Sequence, residues 1–171
     1  MADPVSDTVG SEPPIPGDPA EPWLSLKIPP PAYLLAAGGL IYLASRRPRS
    51  RLRSWPAWLG LPLMVLGLGL DAHALMVFKD QRTTPNPFRP EKAAQLVNQG
   101  AYRFSRNPMY LGMALLLSGW SLLRASLSGL VVVPAFVWTL TRLQIIPEER
   151  RLARRFGAPY RAYLEQVRRW L

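Results

Sequence analysis

The 171 residues carry 21 Lys and Arg against 11 Asp and Glu, a formal net charge of +10, with 49% hydrophobic residues and no cysteine. That length suits one domain, and the missing cysteine excludes disulfides, thiolate nucleophiles and cysteine metal sites. A basic surplus suits nucleic acid in general, but here the bases flank apolar runs, which points to a lipid bilayer and away from a nucleic-acid partner.

Residues 1 to 22 hold five of the acids, six prolines and no Lys or Arg, a composition that cannot build a core and predicts a disordered acidic tail. The tail has neither the basic n-region nor the apolar h-region of a secretory signal, so cleavage on export is not expected. The domain proper is expected over 23–171. Its first apolar block, Ile28 to Ser45, opens on Pro29-Pro30-Pro31. Proline is tolerated in the first helical turn, so a helix should begin near Pro31.

Trp55 to Phe78 forms a second block of 24 residues whose titratable groups are Asp71 and His73, with Trp55 and Trp58 as interfacial anchors. It exceeds the roughly 20 residues needed for one crossing. Asp71 and His73 are two apart and fall on different helix faces. Met109 to Ile146 has 38 residues and only Arg124 and Arg142 as charges. That is about two crossings, read as a hairpin turning near Arg124 to Ser128, with Pro134 kinking the returning helix.

The tail after Ile146 reads as two short amphipathic helices, Glu148 to Phe156 and Pro159 to Leu171, separated by Gly157-Ala158-Pro159. Leu152, Phe156, Tyr160, Tyr163, Val167 and Trp170 recur every three or four residues, a stripe that suits either the membrane interface or the preceding loop. The expected fold is all-α: a polytopic integral membrane protein with about four transmembrane helices, the last two a hairpin. Lys79 to Arg106 carries six bases and Arg150 to Arg169 seven, against five in Arg46 to Arg53. The positive-inside rule therefore puts the long loop, the C-terminal tail and the N-terminus in the cytosol.

The hairpin brings together two polar clusters, Tyr102 to Tyr110 and Pro147-Glu148-Glu149-Arg150. By spacing alone Glu148 and Glu149 serve equally well as helix-capping acids facing Arg151 to Arg155. Arg142, about one turn before them, neutralises Glu148, faces a bound cofactor or, most simply, snorkels to the interface.

The stretch TTPNPFRPEKAAQLVNQGAYRFSRNPMYLG, followed by QIIPEERRLARRFGAPYRAYLEQVRRW, resembles the isoprenylcysteine carboxyl methyltransferase and phospholipid methyltransferase superfamily over residues 83–170. The resemblance implies a membrane enzyme that uses S-adenosyl-L-methionine at a cytosolic membrane face. It places that cofactor against Ala94, Gln95, Leu96, Val97, Tyr102, Asn107, Pro108, Met109, Tyr110 and Glu148, with Glu149 adjacent. Asn107 stands where the family motif usually has His, which favours a binding role over acid-base chemistry.

Arg106 and Tyr110 are the candidate catalytic residues: Arg106 faces the cofactor carboxylate, and Tyr102 or Tyr110 lines the adenine or the methyl group. Pro108 fixes the turn into the helix, and Gly112 permits close helix approach. The acceptor implied is an amphiphilic small molecule or prenylated carboxylate reached from the bilayer; no metal is implied. Two other functions fit the same residues. One is an NADPH-dependent sterol-type reductase, against which the Glu148-Glu149 pair speaks because a 2′-phosphate needs bases. The other is a non-catalytic membrane anchor that binds anionic lipid.

Overall fold

In the computed structural model, which describes residues 27–45, 57–80 and 96–171, the proline triplet starts the first helix as expected. Helix α1 runs Pro30–Ala44, with Pro29 extended as its N-cap. The acidic tail, Trp55, the arginine loop at 46–53, and Ala94 and Gln95 lie outside the described residues. A short 3-10 turn, Ala57–Leu59, leads into α2, Gly60–Asp80. The hairpin is formed by α3, Pro108–Leu123, and α4, Gly129–Leu140. All regular structure among the described residues is helical.

Helix α2 has 21 residues and is the one described helix long and apolar enough to cross a membrane, while α1 and α3 are apolar but shorter. Its buried residues are Gly60, Gly67 and Ala74. The large side chains Leu61, Val65, Leu66, Leu68, Leu75 and Met76 point outward. Small residues inside and large apolar residues outside is the arrangement of a helix packed in lipid, where close backbone approach takes the place of hydrophobic burial.

The small residues are spaced by seven and meet a matching set on antiparallel α3. A Cβ on Gly67 would lie 2.6 Å from the Gly112 carbonyl oxygen, and one on Gly119 would lie 2.6 Å from Cγ of Met64 and collide with the Gly60 carbonyl. A seven-residue repeat keeps one seam in register along two helices. The opposite face of α3 presents Tyr110, Met113, Ala114 and Leu117 to Ala37 and Ile41 of α1 and to Phe136 and Leu140 of α4. Helix α3 is therefore the centre of the bundle, between α2 on one side and α1 and α4 on the other.

The hairpin turn is tied to α1 by Arg124, whose Nε donates to Ser45 Oγ at 3.0 Å and whose guanidinium lies 4.9 Å over the Tyr42 ring. Trp120 Nε1 also donates to the Gly38 carbonyl at 3.3 Å. Helix α4 continues through Pro134 into a π-helical turn, Thr141–Ile145, and then into α5, Ile146–Phe156. Such a turn admits an extra residue and rotates the helix beyond it, and the consecutive residues Gln144 and Ile145 are both fully buried. Gln144 Nε2 donates to the Ile28 carbonyl at 2.7 Å, fastening the start of α1.

The expected helix from Pro159 to Leu171 is shorter than its periodicity suggested. Helix α6 spans Ala158–Gln166, and Val167 is extended at φ −122 and ψ 131. The periodicity fails here because the backbone bonds elsewhere: Arg106 N–H donates to the Arg168 carbonyl at 3.0 Å. Trp170 docks on the core and donates from Nε1 to Thr141 Oγ1 at 3.2 Å. The last five residues are a strap, not a helical face.

Candidate functional site

The site is built where α3 begins and α5 begins, at the end of the bundle opposite Arg124. Pro108 opens α3 with its fixed φ, and Pro147 opens the carboxylate-bearing turn of α5. These two buried prolines aim Tyr110 and Glu148 at each other: Tyr110 Oη donates to Glu148 Oε2 at 3.1 Å. Burial pushes the Glu148 carboxyl up to about 7, opposed by this hydrogen bond and reinforced by the neighbouring Glu149. The phenol of Tyr102 is pushed up by burial first and by the nearby Glu148 carboxylate second.

Glu149 is placed differently. Its carboxylate accepts a two-pronged fork from Arg169, Nε at 3.1 Å and Nη2 at 2.7 Å, and an ion pair from Arg106 Nη1 at 3.3 Å. With 12% of its side chain exposed, it is largely enclosed by the two guanidiniums. The hydrogen bonds to Glu149 raise the Arg169 pKa further above its ordinary value. The two adjacent glutamates, indistinguishable by sequence, thus have different partners: a phenol for Glu148 and two arginines for Glu149.

The strap is held from below by the RNP loop. Asn107 Nδ2 donates to the Arg169 carbonyl at 3.0 Å, Ser105 Oγ donates to the same oxygen at 3.4 Å, and Asn107 N–H donates back to Ser105 Oγ at 3.1 Å. Tyr163 Oη donates to the Tyr102 carbonyl at 2.7 Å, clamping α6 onto the 3-10 turn Gly100–Arg103. That turn starts at Gly100, whose φ of +57 suits glycine; a Cβ there would also sit 2.7 Å from His73 Nε2. Val97 and Tyr102 pack on Ala74, with Val77, Phe78 and Met109 around them, so Val97 lies against the far end of α2.

Of the sequence-derived candidates, Tyr102, Arg106, Asn107, Pro108, Met109, Tyr110, Glu148 and Glu149 thus come together at one end of the bundle. Arg142 does not join them. It is exposed, which agrees with snorkelling to the interface and not with neutralising the buried Glu148 carboxyl. His73 is exposed on α2, with its ring against Gly100.

Sequence reasoning missed Arg169, Ser105 and the place of Asp71. The Asp71 carboxylate occupies the space a Cβ on Gly112 would take, and its Oδ1 is buried with no hydrogen-bond partner among the described residues. The seven-residue spacing of Gly60, Gly67 and Ala74 was the available signal that Asp71, one turn beyond Gly67, faces α3. Arg106 Nε is likewise buried and without a partner there.

A family profile described as phospholipid methyltransferase matches residues 55–159, which runs from the start of α2 through both polar clusters to the start of α6. The chain belongs to the phospholipid methyltransferase family. A protein of Haemophilus influenzae described only as uncharacterized is 44% identical over 64 residues, covering 37% of this chain and all of its own length. Protein-S-isoprenylcysteine O-methyltransferase B of Arabidopsis thaliana is 26% identical over 113 residues. That alignment covers 66% of this chain and 57% of the plant protein, so the chain spans little more than half of that relative. No solved structure matches. Family membership and the lipid-facing exterior of α2 together make this a membrane methyltransferase-family protein.

Proposed function

We propose that the chain is an S-adenosyl-L-methionine-dependent methyltransferase acting on an amphiphilic acceptor drawn from the bilayer. The observation that carries this reading is the polarity of the enclosed site. Glu148, whose hydrogen-bond partner is the Tyr110 phenol, precedes Glu149, whose single carboxylate is shared by two guanidiniums. A zwitterionic ligand fits such a pair of opposite fields. The buried, unpartnered Arg106 Nε and Asp71 Oδ1 are the donor and acceptor a bound polar molecule would satisfy.

When bound, the cofactor supplies a methyl group activated on sulfonium. Glu148 accepts from its ammonium or ribose hydroxyls, and Tyr110 holds that carboxylate in orientation. Arg106 takes the carboxylate end. Tyr102, buried and edge-to-face with Phe78 at 5.4 Å, gives a rigid aromatic wall. Positioning by these residues would supply most of the rate, helped by a water-poor site. The acceptor is an amphiphile, a lipid or prenylated molecule, because the apolar helices open to the bilayer rather than to water. The full architecture has four crossings, α1 to α4, with the site on the cytosolic side.

Titration calorimetry of the purified protein with S-adenosylhomocysteine tests this, with NADPH as the competing ligand. Saturable binding of the former alone supports the reading. Binding of NADPH alone overturns it in favour of a reductase, and binding of neither overturns it in favour of an anchor protein.

A further inference from the structure

The charges around Glu149 do not balance. Two guanidiniums converge on one carboxylate, Arg106 at 3.3 Å and Arg169 at 2.7 Å; Arg106 is 13% exposed and Arg169 36%, so the second still has an edge that a ligand can reach. The Arg169 fork engages Glu149 through Nε and Nη2, so its Nη1 edge is not part of that grip. Arg106 adds a buried Nε with no partner among the described residues. Immediately before Glu149 in the chain, Glu148 supplies the opposite charge, tied to Tyr110. The two guanidiniums held by Glu149 and the carboxylate on the residue before it are the charges that the two ends of an α-amino acid group, its carboxylate and its ammonium, require.

We propose that Arg169, delivered by the C-terminal strap, forms with Arg106 the subsite for the amino-acid carboxylate of the cofactor. Asn107 is a positioning residue for that subsite. This rests on the methyltransferase reading and adds a residue to it. Glu149 is the brace that keeps two like charges side by side, which in its absence would repel. Asn107 acts on Arg169 at one remove: its amide holds the Arg169 carbonyl at 3.0 Å, with Ser105 supporting the same oxygen. The amide in the RNP motif is thereby explained by what it holds, since a strap carbonyl needs an N–H donor at that point. Trp170 anchors the far side of Arg169 on Thr141, so the guanidinium is fixed from both directions along the strap.

The test pairs S-adenosylhomocysteine with its analogue lacking only the carboxylate, 5′-deoxy-5′-(3-aminopropylthio)adenosine, titrated calorimetrically against the full-length protein in lipid nanodiscs. Arg169→Ala should weaken the first ligand about tenfold or more, on the scale of a lost charged hydrogen bond, and leave the second within about twofold. Arg169→Lys, which keeps the charge but loses the fork, should fall between. Asn107→Ala should show the same selectivity to a smaller degree.

Unchanged binding of S-adenosylhomocysteine to Arg169→Ala overturns the proposal. So does an equal loss for both ligands, which would make the strap a cover for the site rather than a part of it. Retained binding of the analogue also reports that the variant is folded. If the wild type binds neither ligand, the methyltransferase reading fails first and takes this inference with it, an outcome distinct from any change in selectivity.

Discussion

Glu148 and Glu149 differ by one position and by everything around them, and substitutions should separate them. Removing the Glu148 charge as Glu148→Gln keeps the side-chain shape, so S-adenosylhomocysteine affinity should fall about 10- to 150-fold, the worth of a charged hydrogen bond. Its stability effect has the opposite sign. Burial raises the folded-state pKa of Glu148 from 4.5 to about 7. Ionising it therefore costs the fold nothing below about pH 4.5 and progressively more as the pH rises to about 7. Thermal unfolding at pH 8 should show Glu148→Gln more stable than the wild type. Glu149→Gln should instead lower stability, by roughly 1–3 kcal/mol, because the largely enclosed Arg106 guanidinium loses its carboxylate partner, whereas Arg169, 36% exposed, adds little. A variant pair that behaves identically in both measurements would contradict the division of roles. The same raised pKa predicts that wild-type affinity for S-adenosylhomocysteine climbs between pH 6 and pH 8 as Glu148 loses its proton. Glu148→Gln should flatten that dependence. Calorimetry across buffers checks the slope, and a flat wild-type profile would assign the ammonium elsewhere.

The helices were legible where composition alone decides them. Pro29-Pro30-Pro31 marked the start of α1 within a residue, and the length of Met109 to Ile146 gave a hairpin that turns between Leu123 and Gly129. What sequence could not show was rotation about each helix axis. Both Glu148 and Arg142 fit an inward face until the π turn at Thr141–Ile145 is known, and a one-residue insertion leaves no compositional mark. The end of α6 was hidden for another reason. Val167 and Trp170 keep the helical stripe in register, yet the backbone bond from Arg106 to the Arg168 carbonyl overrides propensity. Gly112 was singled out as a site of close approach, and the structure gives the partners, the Gly67 carbonyl and the Asp71 side chain. The α2–α3 seam should therefore be intolerant of methyl groups. Gly67→Ala, meeting the Gly112 carbonyl at 2.6 Å, should cost about 1–3 kcal/mol by overpacking. Gly69→Ala on the open side meets nothing within 4 Å and should be neutral, or stabilising by up to about 1 kcal/mol. Equal Tm values for the two variants, measured in the same detergent, would mean the seam is looser than its geometry.

At the scale of the molecule, the arginines divide between the two ends, and the functional end should be the cytosolic one. By sequence, six bases fall in Lys79 to Arg106, between α2 and α3, and seven in Arg150 to Arg169, which includes the strap. By sequence, five fall in Arg46 to Arg53, between α1 and α2. The positive-inside rule weighs bases within about 15–20 residues of a crossing, so thirteen against five favours a cytosolic site. On the methyltransferase reading proposed above, a polar nucleoside cofactor would reach the protein from the cytosol and would meet the strap first. A reporter fused after Leu171 should therefore read as cytosolic and one inserted near Ser50 as external. The second is the sharper measurement, because five arginines must then be translocated against their preference. Replacing Arg46, Arg47 and Arg49 with serine should thus strengthen the external signal at Ser50. Adding two lysines there should weaken it. Both reporters on the same side would mean that α2, with its 21 residues and lipid-facing leucines, does not cross, and the four-crossing architecture would fall with it.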